Sequence, residues 1–458
     1  MATNPQHHRK LYTVSLGCAK NRVDTEIMLG LLSQAGWQVV ASPAQADLLL
    51  VNTCGFIAPA SQESIDTVLE LAAYKQADPH KRLLVAGCLA QRYRQELPAL
   101  LPEVDAFVGV NDFPHIVKIL ANLSQIYKTF CQAPWYGYQH LLPRLLTTPF
   151  YSAYLKIAEG CSHCCTYCTI PQIRGPFRSR PLEVILQEAR NLTAQGVVEF
   201  NLIAQDTTAY GLDGGAPHQL PQLLECLCQI PGIRWLRLLY SHPARITAEL
   251  LAVMADQPQI CPYLDLPIQH VNDRLLRRMG RGYNQKVILD AIDRIRRRLP
   301  QAALRTTAMV GFPGESEAQF IELCHLIEQI KFDHLGVFEF QPEDGTPAAR
   351  YGDQLPAPRA RQRSRQLMAL QARLVKKKLR SLVGTVQEVL VDGPSPETEL
   401  LLSGRLATQA PEVDGQVYIT AGEGQIGQIQ PVRITHAHTY DLVGEIIDPS
   451  QKRVVGKR

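Results

Sequence analysis

Glu159-Gly160-Cys161-Ser162-His163-Cys164-Cys165-Thr166-Tyr167-Cys168 follows an apolar run, Ala153–Ile157, and carries three cysteines spaced C-x3-C-x2-C. The run reads as a β-strand and the cysteines as the loop at its carboxyl end, where βα barrels gather their chemistry. Three thiolates this close hold three irons of a 4Fe-4S cluster and leave the fourth iron without a protein ligand. An open iron accepts a ligand or substrate directly. A zinc ion held by Cys161, Cys164, Cys165 and Cys168 is the plainer alternative. Zinc is usually held by two separated C-x2-C pairs, and neighbouring Cys164 and Cys165 are poorly placed to aim both sulfurs at one ion. The cluster is favoured.

Five more strand-like runs follow: Val198–Ile203, Trp235–Leu239, Tyr263–Leu266, Arg305–Val310 and Leu335–Phe340. Helical stretches at Leu182–Gln195, Asp273–Arg278, Asn284–Arg298 and Glu317–Ile330 separate several of them. Six repeats between residues 150 and 350 predict a partial (βα)6 barrel rather than the full eight-strand form. The strand ends carry polar residues: Gln205-Asp206, Ser241-His242, Gln269-His270, Gly311-Phe312-Pro313-Gly314-Glu315 and Gln341-Pro342-Glu343. Singly each is an ordinary loop entry. Aligned, they line one mouth.

Upstream, residues 11–126 alternate apolar runs (Leu11–Leu16, Asp47–Val51, Leu83–Ala86 and a weaker Ala106–Val110) with helical stretches such as Val23–Ala35 and Ser61–Tyr74. The pattern predicts an open parallel α/β sheet. Cys18, Cys54 and Cys88 each follow one of the first three runs, and each stands beside a glycine that permits a tight turn. In such sheets ligands bind at the carboxyl ends of the strands, so these thiols are expected to converge on one crevice. Three buried apolar cysteines would be the plainer reading, but the same placement occurs three times. A second three-cysteine cluster with an open iron is favoured.

The stretch Tyr127–Pro149, with Pro134, Pro143 and Pro149, reads as a connection in which Cys131 is incidental. Between Asp353 and Glu388 there is no acidic residue and there are nine Lys or Arg. Such a run is usually a solvated helix face; docking of nucleic acid or substrate is the second reading. Residues 381–447 then show short runs, Thr385–Val391, Leu400–Leu402, Gln416–Thr420 and Pro431–Tyr440 into Leu442–Ile447, with turn signals at Asp392-Gly393 and Asp414-Gly415. A small antiparallel β barrel is expected. Cys226, Cys228, Cys261 and Cys324 lie on apolar stretches and read as core.

A chain of 458 residues, 46% hydrophobic and 20% charged, is long enough for two or three globular domains. No apolar run approaches the ~20 residues of a membrane span. Met1–Lys10 is polar and lacks the apolar stretch of a secretory signal. With twelve cysteines and no export signal, the expectation is a cytoplasmic protein whose thiols ligate metal. A net charge of +4 is too small to imply a nucleic-acid partner.

Together the two cysteine sets, the barrel pattern and the C-terminal strands resemble the radical-SAM methylthiotransferase family over roughly Leu11–Ile447. That family joins an N-terminal cluster-binding domain, a radical-SAM barrel and a C-terminal TRAM β barrel. Four stretches are similar to the branch that methylthiolates an aspartate of a small-subunit ribosomal protein: Ser15–Glu26, Gly87–Tyr93, Ala204–Gly211 and Leu266–His270. The sister branch, which modifies an adenosine of tRNA, tends to read Gln-Ser-Gly where this chain has Gln269-His270-Val271. Cys164 is an extra cysteine that leaves the ligand spacing intact.

The resemblance implies that Cys161, Cys165 and Cys168 bind the cluster that chelates S-adenosylmethionine and yields a 5′-deoxyadenosyl radical. It gives Cys18, Cys54 and Cys88 an auxiliary 4Fe-4S cluster that holds the sulfur to be inserted. It places Gln205 and Asp206 at the methionine amino group and Val310, Gly311 and Phe312 against the adenosyl group. Arg174, Arg178 and Arg180 are candidates to pair a carboxylate of cofactor or substrate, or to serve structurally. No catalytic residue is expected beyond the cluster ligands. An unactivated Cβ–H resists any side-chain base, so a cofactor must carry the hard step. A ferredoxin-type or reductase electron donor and a sulfur donor are implied. Residues Ser381–Glu445 hold nine acidic residues against Arg405 and Arg433, a balance of 2 − 9 = −7. Phosphate backbones are bound by Lys and Arg, so the expected partner is a basic ribosomal protein and tRNA is disfavoured. A non-enzymatic iron–sulfur carrier remains the third class; it would need neither the polar strand ends nor the loop at Gly311.

Overall fold

Leu48–Thr53 is buried at every position, which marks it as a central strand with both faces covered. The computed structural model describes residues 9–123, 129–132, 140–215 and 219–448. In the first sheet the strands run parallel in the order Trp37–Val39, Arg9–Ser15, Leu48–Thr53, Arg82–Gly87, Ala106–Val108, Thr129–Phe130. Alternate side chains serve opposite faces. Leu48 and Leu50 pack with Val23, Ile27 and Met28 of the helix Ala19–Gln34. Leu49 and Val51 pack with Val68 and Leu71 of the helix Ala58–Ala77. The chain moves outward to Trp37 and then returns to the other side of its first strand. The crevice of an open α/β sheet lies at such a switch point, here between the ends of Arg9–Ser15 and Leu48–Thr53. Two short edge strands were not legible in the apolar runs. One of them, Thr129–Phe130, lies in the stretch read as a connection and carries the sheet past residue 126.

Six parallel strands follow in sequence order: Ser152–Lys156, Glu199–Ile203, Trp235–Leu238, Ile260–Asp265, Ala303–Val310 and His334–Glu339. Among the described residues the first and last do not pair, so the sheet is an open arc rather than a closed barrel. The third body is a closed five-strand barrel, Val386–Pro394, Leu402–Leu406, Val417–Ala421, Leu442–Ile446 and Ile429–Ala437 in spatial order. It is antiparallel at four of its five seams; Val417–Ala421 and Leu442–Ile446 run parallel. The second barrel strand begins where a run at Leu400–Leu402 was expected to end. Leu400 is 92% exposed, in a turn closed by the Ser395 amide donating to the Leu401 carbonyl.

The three bodies share buried contacts. Tyr154, Trp235 and Tyr263 of the arc join Val23 and Met28 of the first domain and Leu390 and Ala410 of the third in one apolar cluster. Arg405 of the small barrel pairs with Glu199 of the arc at 2.9 Å and with Asp392 at 2.8 Å. Asp414 accepts from Tyr263 at 2.8 Å and pairs with Arg305 at 2.5 Å and His334 at 3.2 Å. Buried ions persist only when fully partnered, so these pairs set the barrel's orientation on the arc.

The basic helix, Ala357–Arg380, is not simply a solvated face. It packs on His334–Glu339 and on the helix Glu317–Ile330. Leu367, Leu370 and Val375 are buried there, and Arg363 is buried with its guanidinium on Glu315 at 2.8 Å and Glu317 at 3.0 Å.

Candidate active site

Cys18, Cys54 and Cys88 stand at the carboxyl ends of three adjacent parallel strands. Cys18 caps the helix Ala19–Gln34, and Cys88 opens the short helix Cys88–Arg92. Glycines draw the three loops together. A Cβ on Gly17 (φ +88°) would lie 2.8 Å from Cys54 Cβ, and one on Gly55 would lie 2.7 Å from Leu89 Cα. Asn21 holds the crevice floor, donating to the carbonyls of Leu16 at 3.0 Å and Thr53 at 2.8 Å. Burial pushes the Cys88 thiol up to about 12. Burial acts the same way on Cys18, but Lys20, Arg174 and two helix amides bring that thiol below its ordinary value.

Cys161, Cys165 and Cys168 lie in the loop after the first strand of the arc. Burial raises the Cys161 thiol to about 11 and that of Cys168 to about 12. Thiols in this state give up their protons to a metal rather than to solvent. A mononuclear zinc needs its ligands on one point, and among the described residues no three His, Cys or acidic side chains converge that way. In a cluster each thiolate takes its own iron.

The loop is pinned from several sides. Cys161 donates its amide to the Gly175 carbonyl, and the Thr166 amide donates to Met279. Arg281 reaches Cys165 Sγ at 3.3 Å while also donating to Tyr283 and the Pro267 carbonyl. His163 Nε2 is 2.7 Å from Asp206, whose carboxylate also takes Arg245 and Thr208. The His163 ring stacks on His242, centroids 4.5 Å apart. Cys161, His163, Asp206 and Arg245 line a cavity of about 190 Å³. At the neighbouring strand ends, Gln205 Oε1, Ser241 Oγ and both ring nitrogens of His242 are buried with no hydrogen-bond partner. Burial lowers the His242 imidazole to about 3, so it stays neutral. Buried polar atoms are normally satisfied, and these unmet groups fit a polar ligand seated in the mouth.

One buried network joins the two cysteine sets. Arg174 Nη2 lies 2.6 Å from Asn21, 3.1 Å from Asp24 and 3.4 Å from Cys88 Sγ, while Nη1 lies 2.9 Å from Glu159. Glu159 also takes Lys156 at 2.8 Å and Gln205 at 3.1 Å.

Three regions match known domain families: "Uncharacterized protein family UPF0004" at residues 10–109, "Radical SAM superfamily" at 155–327 and "TRAM domain" at 383–447. Ribosomal protein uS12 methylthiotransferase RimO of Geobacter sulfurreducens is 50% identical over 441 residues, covering 96% of this chain and 98% of the relative. The RimO protein of Pelobacter propionicus is 49% identical over 440 residues with the same coverage. This chain belongs to the RimO family. RimO membership makes it a radical-SAM methylthiotransferase. The radical S-adenosylmethionine methyltransferase TsrM of Kitasatospora setae, solved with cobalamin and a 4Fe-4S cluster, shares the fold at TM-score 0.55 and 12% identity. That match covers 83% of this chain and 80% of TsrM.

Within this RimO-family site, several expected residues serve differently. Arg174 and Arg180 are buried on protein carboxylates, Arg180 giving Nη2 to Glu188 at 2.6 Å and Nη1 to the Lys156 carbonyl at 2.5 Å. Neither offers a donor to a substrate carboxylate. Arg178 lies opposite Glu159 in a two-residue ladder. Asp206 is engaged with His163 and Arg245, so Gln205 is the residue with an unmet acceptor. Gly311 (φ +76°) owes its glycine to the basic helix, because a Cβ there would lie 2.6 Å from Ala360 Cβ. Val310 and Phe312 are fully buried, and the Phe312 ring meets Tyr167 of the cysteine loop edge-on at 6.5 Å. Sequence reasoning missed Glu159, His163, Arg245 and Arg281. Only Arg281 left a sign, being flanked by Gly280 and Gly282, both at positive φ.

Proposed function

We propose that this chain attaches a methylthio group to the β-carbon of an aspartate in ribosomal protein uS12. The observation that carries the reading is the Arg174 network, through which two sets of three cysteines face one mouth. Cys161, Cys165 and Cys168 would hold the cluster that meets S-adenosylmethionine, and Cys18, Cys54 and Cys88 the auxiliary one. When bound, these groups supply the one-electron chemistry and the sulfur that no side chain can supply. The chain's own residues position the rest. Gln205, held by Glu159, presents an acceptor to the cofactor's ammonium group. Asp206 and Arg245 fix His163, and through it the cysteine loop. Neutral His242 covers the His163 face without adding charge. A ferredoxin-type or reductase electron donor and a separate sulfur donor complete the requirements.

Modification of tRNA is the second reading, and the small barrel's surface disfavours it. Arg405 is buried against Glu199, so among the described residues Arg433 is the one cation left on that barrel. Such a surface repels phosphate and suits a basic protein. The test is anaerobic turnover of reconstituted enzyme with dithionite and S-adenosylmethionine, with uS12 and hypomodified tRNA offered separately. A methylthio addition on an aspartate of uS12 alone is the expected mass-spectrometric result. Addition to tRNA alone would overturn the substrate assignment.

A further inference from the structure

Lys20 is 7% exposed. It has no ion-pair or hydrogen-bond partner among the described residues. Buried lysines are almost always paired, because an uncompensated ammonium is costly to desolvate. Its Nζ rests over the Tyr240 ring, 3.2 Å from the centroid. Tyr240 is itself strained. It adopts φ +59° at the end of the third arc strand, held by its amide donating to Asp265 at 3.0 Å and its carbonyl accepting from Thr207 at 3.0 Å. A bulky non-glycine residue in that region is uncommon and persists where its surroundings force it. The strain aims one aromatic face at one ammonium.

The location is specific. Lys20 lies two residues from Cys18 on the helix that Cys18 caps. Tyr240 stands beside the Asp206-Thr207 loop of the arc mouth. The lysine thus occupies the line along which the first cysteine set meets the mouth. A carbon that receives sulfur from the first set must sit there, with its neighbouring carboxylate on the first-domain side.

We propose that Lys20 is the carboxylate anchor of the target aspartate, a specificity-determining residue that Tyr240 pre-positions for its ion pair. This rests on the uS12 reading and names the group that selects the residue to be modified. The other carboxylate in reach is that of the cofactor's methionine moiety. Gln205 and Glu159 already mark that ligand's place on the opposite side, beside the Cys161 loop.

Lys20→Met removes the charge and keeps the length of an apolar side chain that packs well against an aromatic ring. The experiment measures equilibrium binding of reconstituted enzyme to uS12, and to uS12 whose target aspartate is changed to asparagine. Wild type should prefer the aspartate form. Lys20→Met should lose about tenfold in affinity for that form, as expected for one charge-assisted hydrogen bond, and bind the asparagine form as wild type does. Lys20→Arg, which keeps the charge, should recover part of the preference. The melting temperature of Lys20→Met should equal or exceed that of wild type, since a buried unpaired charge has gone.

Equal losses on both uS12 forms would overturn the anchor, as would a clear fall in melting temperature. A matching loss of S-adenosylmethionine affinity would assign Lys20 to the cofactor's carboxylate instead. Failure of wild type to bind either uS12 form would bring down the substrate reading itself, a result distinct from all of these.

Discussion

Arg174 places one guanidinium nitrogen 3.4 Å from the sulfur of Cys88, across the boundary between the first domain and the barrel arc. The same side chain pairs with Asp24 on the first side and Glu159 on the second. It is both a structural bolt and a donor to a candidate iron ligand, and the two roles separate experimentally.

Arg174→Met leaves Asp24 and Glu159 with only Lys156 between them. Breaking a buried pair of this kind costs about 3–5 kcal/mol, read as a lower denaturant midpoint. Arg190→Met breaks the exposed pair with Glu183 and should cost under about 1 kcal/mol. In Arg174→Met protein that still folds and loads iron, the first cluster should have a lower midpoint potential, since hydrogen bonds to cluster sulfur help set that potential. Similar losses in the two variants would remove the case for the network.

Gly17→Ala tests the first crevice without touching a ligand. The new methyl would press on Cys54 at a φ that L-residues avoid. Iron content after reconstitution should fall toward that of the Cys161–Cys168 loop alone, with the loop's own spectroscopic signal retained. Full iron loading in this variant would show that Gly17 and Cys54 do not share a site.

The two cysteine sets should fail in different ways. Cys161→Ala should abolish 5′-deoxyadenosine formation, and Cys54→Ala should abolish methylthiolation while some cofactor cleavage persists. Equal loss of cleavage in both would end the division of labour.

Acid should loosen the small barrel through Glu199. Burial alone would raise this carboxyl, but Arg405, Arg237 and Ser152 bring it from 4.5 down to about 2. A depressed carboxylate contributes stability that is fully present above the unfolded value and lost as pH falls through the folded one. That contribution, about 3 kcal/mol, should disappear between pH 4.5 and about 2. Glu199→Gln should flatten the pH slope over that window. An unchanged slope would mean that Arg405 does not hold Glu199 ionised.

The architecture was open to reading because its strands are short apolar runs and its cysteines follow them at once. Leu83–Ala86 and Cys88 are an instance: strand and ligand lie within six residues. Contacts between distant segments left no local mark. Nothing around Arg174 distinguishes a bolt from a substrate clamp, and only its burial against Asp24 and Glu159 decides. Thr129–Phe130 is too short to show a period, and it is a strand only because Ala106–Val108 offers an edge. Gly311 was correctly singled out but for another reason, since its neighbour is Ala360 of the basic helix. Lys20 sat in plain view beside Cys18, yet the want of a counter-ion shows only once Tyr240 folds over it.

The two cysteine sets also differ in how their parts are distributed along the chain. Cys161, Cys165 and Cys168 span eight residues of one loop, so the short segment itself brings them near one another. Cys18, Cys54 and Cys88 are drawn from three strand ends, and their separation closes only when the parallel sheet has formed, a slow kind of pairing. Metal uptake by the first set therefore reports that the N-terminal domain has folded, whereas uptake by the second reports little more than a reduced thiol loop. Biogenesis of the enzyme has a built-in order, with the sulfur-carrying half ready only after its scaffold is complete.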